Sequence, residues 1–349
     1  MKMKKFLALV CAGVMTLSLV ACGGGSSAPA PATNDGAEAA EGAEAAPAAA
    51  AENITLVLSQ RDEWLSTLVD GATKAAAEMG VKLNTVDCQS DASKGIQFVE
   101  TAKNAGEKAI IVNLVDPAQA QQIIESAGDM KVVFVNRTPD DMSRLNDNVV
   151  YVGSNEMDSG RYQGEALAKY FQDKGQTEIK YILLNGILGQ TSTTNRTASV
   201  LQTLEENGIV ATEATAPLVA NYERPKAMDM IKPLLAANLE YDCIISNNDA
   251  MALGAIEALE SVGMDPSEKP IVGIDCTADG AAAVASGKMY MTVFQNADGQ
   301  GRGALQAAVN LLNGNPINEG TEFETDAENP SILWVPFEPV DASNVADYQ

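Results

Sequence analysis

Histidine is absent from all 349 residues of the chain. That removes the commonest general base and the commonest metal ligand. Positive charge is scarce as well: 23 Lys and Arg face 47 Asp and Glu, for a net charge of −24. A surface of that sign repels phosphate backbones, so nucleic acid is excluded as a partner. Five cysteines occur, none in CxxC spacing, which indicates neither a disulfide framework nor a zinc site. There is no GxSxG nucleophile elbow, no phosphate-binding P-loop and no His-based dyad, so the familiar hydrolase and nucleotide signatures are missing. The run GQGRGA, residues 299–304, formally fits GxGxxA. Too little chain follows it for a βαβ nucleotide unit, and Gly299 and Gly303, four residues apart, suit close packing of a helix. No cofactor and no metal is expected, and the chain reads as a binding protein rather than an enzyme.

What the chain does have begins with its leader. Lys2, Lys4 and Lys5 precede the apolar run FLALVCAGVMTLSLVA. Small residues and a polar linker follow, the pattern of a secretory signal (residues 1–21) rather than of a membrane span. The run ends in LVAC, which resembles the bacterial lipoprotein cleavage box. The resemblance implies that Cys22 becomes the diacylated N-terminus, and two acyl chains suffice for stable anchoring to the outer face of the cell membrane. Residues 22–52 are rich in Ala, Gly, Pro and Glu with almost no bulky apolar residue, the composition of a flexible tether. With the three leader Lys taken from 23, 20 basic residues stand against 47 acidic ones, a net charge near −27. The remaining Cys88, Cys243 and Cys276 read as small buried hydrophobes.

From Ile54 on, short β-branched runs alternate with helical patterns. The strand candidates are ITLVL, VKLNTV, AIIVN, VVFVN, KYILL, CIIS, IVGI and YMTVF. Between them apolar residues recur at helical spacing, as at Leu65, Leu68, Val69 and Ala72, with Gly80 and Gly263 as helix stops. Strands apolar on both faces, alternating with helices, predict parallel sheets covered by helices, and the strand count predicts two doubly wound lobes.

The residues just past the strands carry the functional signal. Asn113, Asn136 with Arg137 behind it, Asn248, Asp275 and Gln295 all stand at strand ends, where open α/β sheets bind ligands. A single such residue is ordinary turn or cap chemistry. Five together, mostly neutral amides, point to a site that hydrogen-bonds an uncharged, polyhydroxylated ligand. In CIISNNDAMALGAIEAL, residues 243–259, Asp249 is expected to cap the helix and Asn248 to face the site.

At this point the stretches VNLVDPAQA (112–120), VVFVNRTP (132–139), YVGSNEMDSGRYQGE (151–165), SNNDAMALGAIEAL (246–259) and IVGID (271–275) resemble the periplasmic monosaccharide-binding family over residues 54–340. The resemblance implies a periplasmic binding protein fold of type I, with two doubly wound lobes joined by a three-strand hinge. It places residues 53–137 and 296–325 in one lobe and 138–295 and 326–349 in the other. Position by position it implies that Asp62 bonds sugar hydroxyls and that Trp64 and Tyr222 pack on opposite ring faces. Asn113, Arg137, Gln190, Arg196, Asn248, Asp275 and Gln295 complete the implied set. Carboxylate, amide and guanidinium groups can each engage neighbouring hydroxyls in pairs, and Arg137 and Arg196 would offset Asp62 and Asp275. The bland alternatives are a core Trp64 at a helix start, a surface Tyr222 and a solvated Arg196.

Gln190 and Ser192 stand where the galactose-binding branch has His and Asp, and Gln295 and Arg137 fit the ribose-binding branch. The branch's DxNxDG calcium loop is missing from FQDKGQTEIKYILL, residues 171–184, so no metal is expected there. The ligand implied is a pentose, a cyclic polyol such as inositol, or an unusual hexose. The function implied is that of a monomeric, lipid-anchored binding component of an ATP-binding cassette importer, which delivers ligand to a membrane permease. A sugar sensor presenting ligand to a membrane receptor and a small-molecule enzyme on the same fold are the alternatives. A repressor of the same fold would need a basic headpiece, which this acidic chain lacks.

Overall fold

Strands form where the apolar runs can be covered on both faces, and helices fill the intervals. The computed structural model describes residues 52–349, so the leader, Cys22 and all but the last residue of the tether expected over residues 22–52 lie outside the described residues. The first half runs β1 (Asn53–Leu58), α1 (Glu63–Met79), β2 (Lys82–Asp87), α2 (Ala92–Asn104), β3 (Ala109–Val112), α3 (Ala120–Ala127), β4 (Lys131–Val135) and β5 (Val149–Gly153). The second half continues with α4 (Glu156–Asp173), β6 (Glu178–Asn185), α5 (Thr191–Glu206), β7 (Val210–Glu213), β8 (Leu218–Val219) and α6 (Arg224–Ala236). Next come β9 (Cys243–Ser246), α7 (Asp249–Ser261), β10 (Ile271–Val272), α8 (Ala278–Ala285) and β11 (Met291–Gln295). The chain ends with α9 (Ala297–Asn313), β12 (Glu324–Thr325), β13 (Ile332–Trp334) and β14 (Phe337–Asp341).

Two sheets result. The first has the order β12-β13-β5-β4-β3-β1-β2, the second β14-β11-β10-β9-β6-β7, with β8 also on β6. Pairing is parallel except for β12 with β13 and β11 with β14. Each sheet buries an apolar cluster on both faces, which is why its strands read as continuous apolar runs rather than as alternations. All eight strand runs expected from the sequence are present. β7, β8 and β12 are short and partly exposed and carry little apolar signal. β5, VVYVG, is as buried as its neighbours and was equally readable.

The chain passes between the sheets three times, at residues 154–155, at 296 and at 335–336. Two crossings therefore lie later than the expected boundaries at 137/138 and 325/326. The polar segment after Arg137 looks like a lobe boundary in sequence, yet it only returns the chain to β5, which pairs with β4 from Val132↔Val149 to Val135↔Val152. β13 likewise adds to β5 in the first sheet.

Helix ends follow the residues that close them. Asp62 accepts the backbone N–H of Leu65 at the start of α1, and Gly80, at φ +69°, ends it. α1 packs along α9 across glycines: a Cβ on Gly301 would sit 2.0 Å from Leu68 O, and one on Gly71 2.4 Å from Asp298 O. The close approach thus belongs to Gly301 and Gly71, not to the Gly299 and Gly303 pair singled out from spacing. A Cβ on Gly303 would have ordinary contacts, the nearest at 3.4 Å. Cys88, Cys243 and Cys276 are buried free thiols.

Candidate functional site

Parallel strands in both sheets point their carboxyl ends at one cleft of ≈930 Å³. Of the ten residues expected at a ligand site, nine line it: Asp62, Trp64, Arg137, Gln190, Arg196, Tyr222, Asn248, Asp275 and Gln295. Asn113 does not. Its Oδ1 accepts the Ser59 hydroxyl at 2.6 Å, and its Nδ2 donates to Val135 O and to Asn136 Oδ1. That amide clips the ends of β1, β3 and β4 together beneath the cleft, and with 1% exposure it has no surface left for a ligand. Asn136, at φ +66°, takes the cleft-lining place instead.

On the first lobe, Asp62 turns one carboxylate oxygen to the start of α1 and the other to Gln60 Nε2. Trp64 donates its indole N–H to Gln295 O at 3.1 Å, which ties α1 to the crossing at residue 296. Arg137 donates one terminal nitrogen to Leu114 O at 2.9 Å and to Val115 O at 3.3 Å. Burial pulls its pKa below the usual guanidinium value, against the opposing pull of Tyr222 across the cleft and of Asp62 on its own lobe.

On the second lobe, Tyr222 sits in a left-handed backbone position, φ +66°, directly after Asn221 at φ +56°. Its ring is pressed on Gly186, where a Cβ would lie 2.0 Å from Cζ. Its hydroxyl meets the hydroxyls of Ser192 at 2.9 Å and Thr193 at 2.8 Å. The ring is therefore fixed in orientation, and the reading of Tyr222 as a loose surface aromatic fails. Gln190 precedes α5 without capping it, so its amide stays free to face the cleft.

The cleft floor holds the buried charges. Arg196 is 4% exposed, so it is not a solvated helix residue. Its Nε donates to Glu156 Oε2 at 2.7 Å and one terminal nitrogen to Glu156 Oε1 at 3.2 Å. The other terminal nitrogen donates to Asn247 O at 2.7 Å. Burial opposes the charge more than any other influence, but Glu156, Tyr222 and Asp275 together outweigh it and the pKa of Arg196 is raised. Asp275, expected to be offset by Arg196, lies 3.8 Å from it, too far for a hydrogen bond. Burial without a donor raises the Asp275 carboxyl well above the usual carboxylate range, with Arg196 pulling it down and Asp249, Asp62 and Glu156 pushing it up. Its backbone is held at φ +122° by bonds to Val293 O and from Gln295 N, a strained conformation of the kind found at functional sites. Gln295 accepts weakly from Arg196 at 3.4 Å, while its buried Nε2 has no partner among the described residues.

Glu156 was missed from the sequence. An acid in the first turn of α4 after Asn155 looks like ordinary dipole chemistry, and nothing nearby in the chain announces a partner 40 residues on. At α7 Asn248 faces the cleft as expected, but the cap is not Asp249. Asn248 is the cap, its Oδ1 accepting Met251 N at 3.0 Å, and it lines the cleft as well. Asp249 is fully buried at the first helical position, accepting Thr292 Oγ1 at 2.6 Å and Thr277 N at 2.9 Å.

The periplasmic binding protein domain family matches residues 54–316. The chain is 32% identical over 306 residues to the "Putative rhizopine-binding protein" of Rhizobium meliloti, covering 86% of this chain and 94% of that one. It is 30% identical to the D-galactose/methyl-galactoside binding periplasmic protein of Haemophilus influenzae, covering 82% and 88%. Among solved structures, an ABC transporter solute binding protein from Bacillus halodurans C-125 with bound myo-inositol superposes with TM-score 0.73 at 30% identity, over 87% of this chain and 99% of that one. Two α/β lobes, a shared cleft at their strand ends and a match over most of the folded residues agree: the chain belongs to the periplasmic binding protein domain family, with the type I fold.

Proposed function

We propose that the protein is an extracytoplasmic solute-binding lipoprotein that captures a monosaccharide or cyclic polyol in the interlobe cleft and delivers it to an ABC importer. The carrying observation is the convergence of Asp62, Arg137, Asn248, Asp275 and Gln295 with two held aromatics, Trp64 and Tyr222, around one cleft. Hydroxyls donate and accept together, so carboxylates, amides and guanidinium groups each match a pair of them. The cleft volume of ≈930 Å³ lies within the usual range for small-molecule sites and leaves room for water around a single ring. The LVAC box and the Ala/Gly/Pro/Glu-rich segment after it support a lipid anchor at Cys22 and a tethered form. The Bacillus halodurans protein with bound myo-inositol favours a cyclic polyol over a hexose, consistent with Gln190 and Ser192 in place of a charged pair.

A thermal-shift panel of myo-inositol, pentoses and hexoses on residues 52–349 tests the reading. One member of the panel should raise Tm in a concentration-dependent way. In Asp275→Ala calorimetric binding of that ligand should disappear, because the ligand's donors lose their buried acceptor. Unchanged affinity in that variant, or turnover of a substrate while no member of the panel binds, would overturn it. Anchoring is tested separately: metabolic acyl labelling should mark the full chain and not Cys22→Ala.

A further inference from the structure

The cleft floor brings two carboxylates, Glu156 and Asp275, towards one guanidinium. Arg196 on α5 could have paired with Asp275, yet it is taken by Glu156 through two nitrogens, at 2.7 and 3.2 Å. Both partners are 4% exposed, so the pair is neither solvent-screened nor casual. A third bond, to Asn247 O, fixes the remaining terminal nitrogen, which is the one nearest Asp275 at 3.8 Å. Asp275 in consequence accepts no side-chain hydrogen bond among the described residues, although its backbone is pinned on both sides. Every other charged or titratable group turned towards it is acidic or neutral: Asp62 ahead of α1, Glu156 on α4, Asp249 on α7 and the adjacent Cys276 thiol.

We propose that Glu156 is a positioning residue for the cleft, which draws the Arg196 hydrogen bonds to itself and so leaves the Asp275 carboxyl, 3.8 Å from the guanidinium, with its acceptor oxygens free for the ligand. Glu156 sits directly after the 154–155 crossing, so the same residue that begins the second lobe sets the character of the cleft floor. Burial pushes this carboxyl towards the neutral acid, and the guanidinium at 3.8 Å, which makes no hydrogen bond to it, offsets that only in part. A polyol hydroxyl that donates to it favours the ionised form. Ligand capture then releases a proton from Asp275, and affinity rises by about tenfold per pH unit until the free-state midpoint is passed. That consequence rests on the polyol-binding reading, whereas the positioning role does not.

The test needs no ligand. In the mature chain labelled with 13C at the aspartate carboxyls, the Asp275 signal is the one missing from Asp275→Asn. Its titration midpoint should lie above those of the exposed aspartates. In Glu156→Gln, Arg196 is released towards Asp275, and the midpoint should fall by about one to three units, the effect of an adjacent Arg on a carboxylate. An unchanged midpoint overturns the proposal. Should Glu156→Gln fail to fold, Asp275→Asn decides. An amide replaces a neutral acid with little loss, so Tm at pH 7 should hold or rise, and a clear fall would show an ion-paired carboxylate and sink the inference. Because these readouts are ligand-free, a panel in which no polyol binds would remove the proposed function and leave the positioning role standing.

Discussion

Asp249→Asn should stabilise the protein above neutral pH and remove a distinct part of its pH dependence. The wild-type carboxylate is fully buried at the first turn of α7, where the helix start favours an anion and two donors reach it, Thr292 Oγ1 and Thr277 N. Burial nevertheless dominates and pushes its pKa from 3.8 up to about 7. A group whose folded pKa is raised above its unfolded value binds the proton more tightly in the fold. For an acid this means that the fold is favoured below about pH 4 and loses that advantage as pH climbs to about 7. The gap of about three units corresponds to about 4 kcal/mol at 1.36 kcal/mol per unit.

An Asn in that place reproduces the neutral acid. Its oxygen can accept from Thr277 N while its amide donates to Thr292 Oγ1, and no charge is ever buried. The assay is urea unfolding of both proteins from pH 4 to pH 8, read as the difference between them so that the other carboxylates cancel. The variant should gain on the wild type across this window, towards about 4 kcal/mol at the alkaline end. Removing the Asp249 charge also relieves Asp275, which it pushes up, and this acts in the same direction. A difference that stays flat across the window would refute the reasoning, since it would mean that the two donors hold the carboxylate ionised in spite of its burial.

Asn113→Ala should cost about 1–3 kcal/mol in unfolding free energy, because the Ser59 hydroxyl and Val135 O lose a buried partner. Its polyol affinity by calorimetry should stay within a few-fold of wild type, and a hundredfold loss would restore Asn113 to the ligand site. Gly301→Ala should destabilise by about 1–3 kcal/mol through forced separation of α1 and α9, where the new Cβ meets Leu68 O; unaltered urea unfolding would contradict that packing. Tyr222→Phe keeps the ring on Gly186 and removes the hydroxyl shared by Ser192 and Thr193, so it should cost about 1 kcal/mol. A larger loss of ligand affinity than of stability would assign that hydroxyl to the ligand.

The strand ends were legible because topology leaves little choice. A parallel sheet covered by helices must turn its carboxyl ends to one side, and polar residues there must face either a helix start or the cleft. Asn136, Asn248, Asp275 and Gln295 were found this way, and all four line the cleft. What the chain order does not contain is the assignment within 3 Å. Asn113 and Asn136 end neighbouring strands with the same side chain, and Ser59, lying 54 residues from Asn113, decides which of them becomes a clip. Asn248 and Asp249 are both competent caps. Asp249 is drawn inward because Gly273 and Gly280 leave no Cβ where its carboxylate sits and Thr292 offers it a donor. The ionic arrangement was the least legible of all. Opposite charges counted along the sequence balance equally well as Arg196 with Asp275 or Arg196 with Glu156. Only the shared geometry of α4 and α5, packed against each other over their length, brings Glu156 within two hydrogen bonds of the guanidinium and leaves Asp275 one ångström too far. A difference of that size, invisible in composition and spacing, separates a neutralised site from one whose carboxyl waits for a donor.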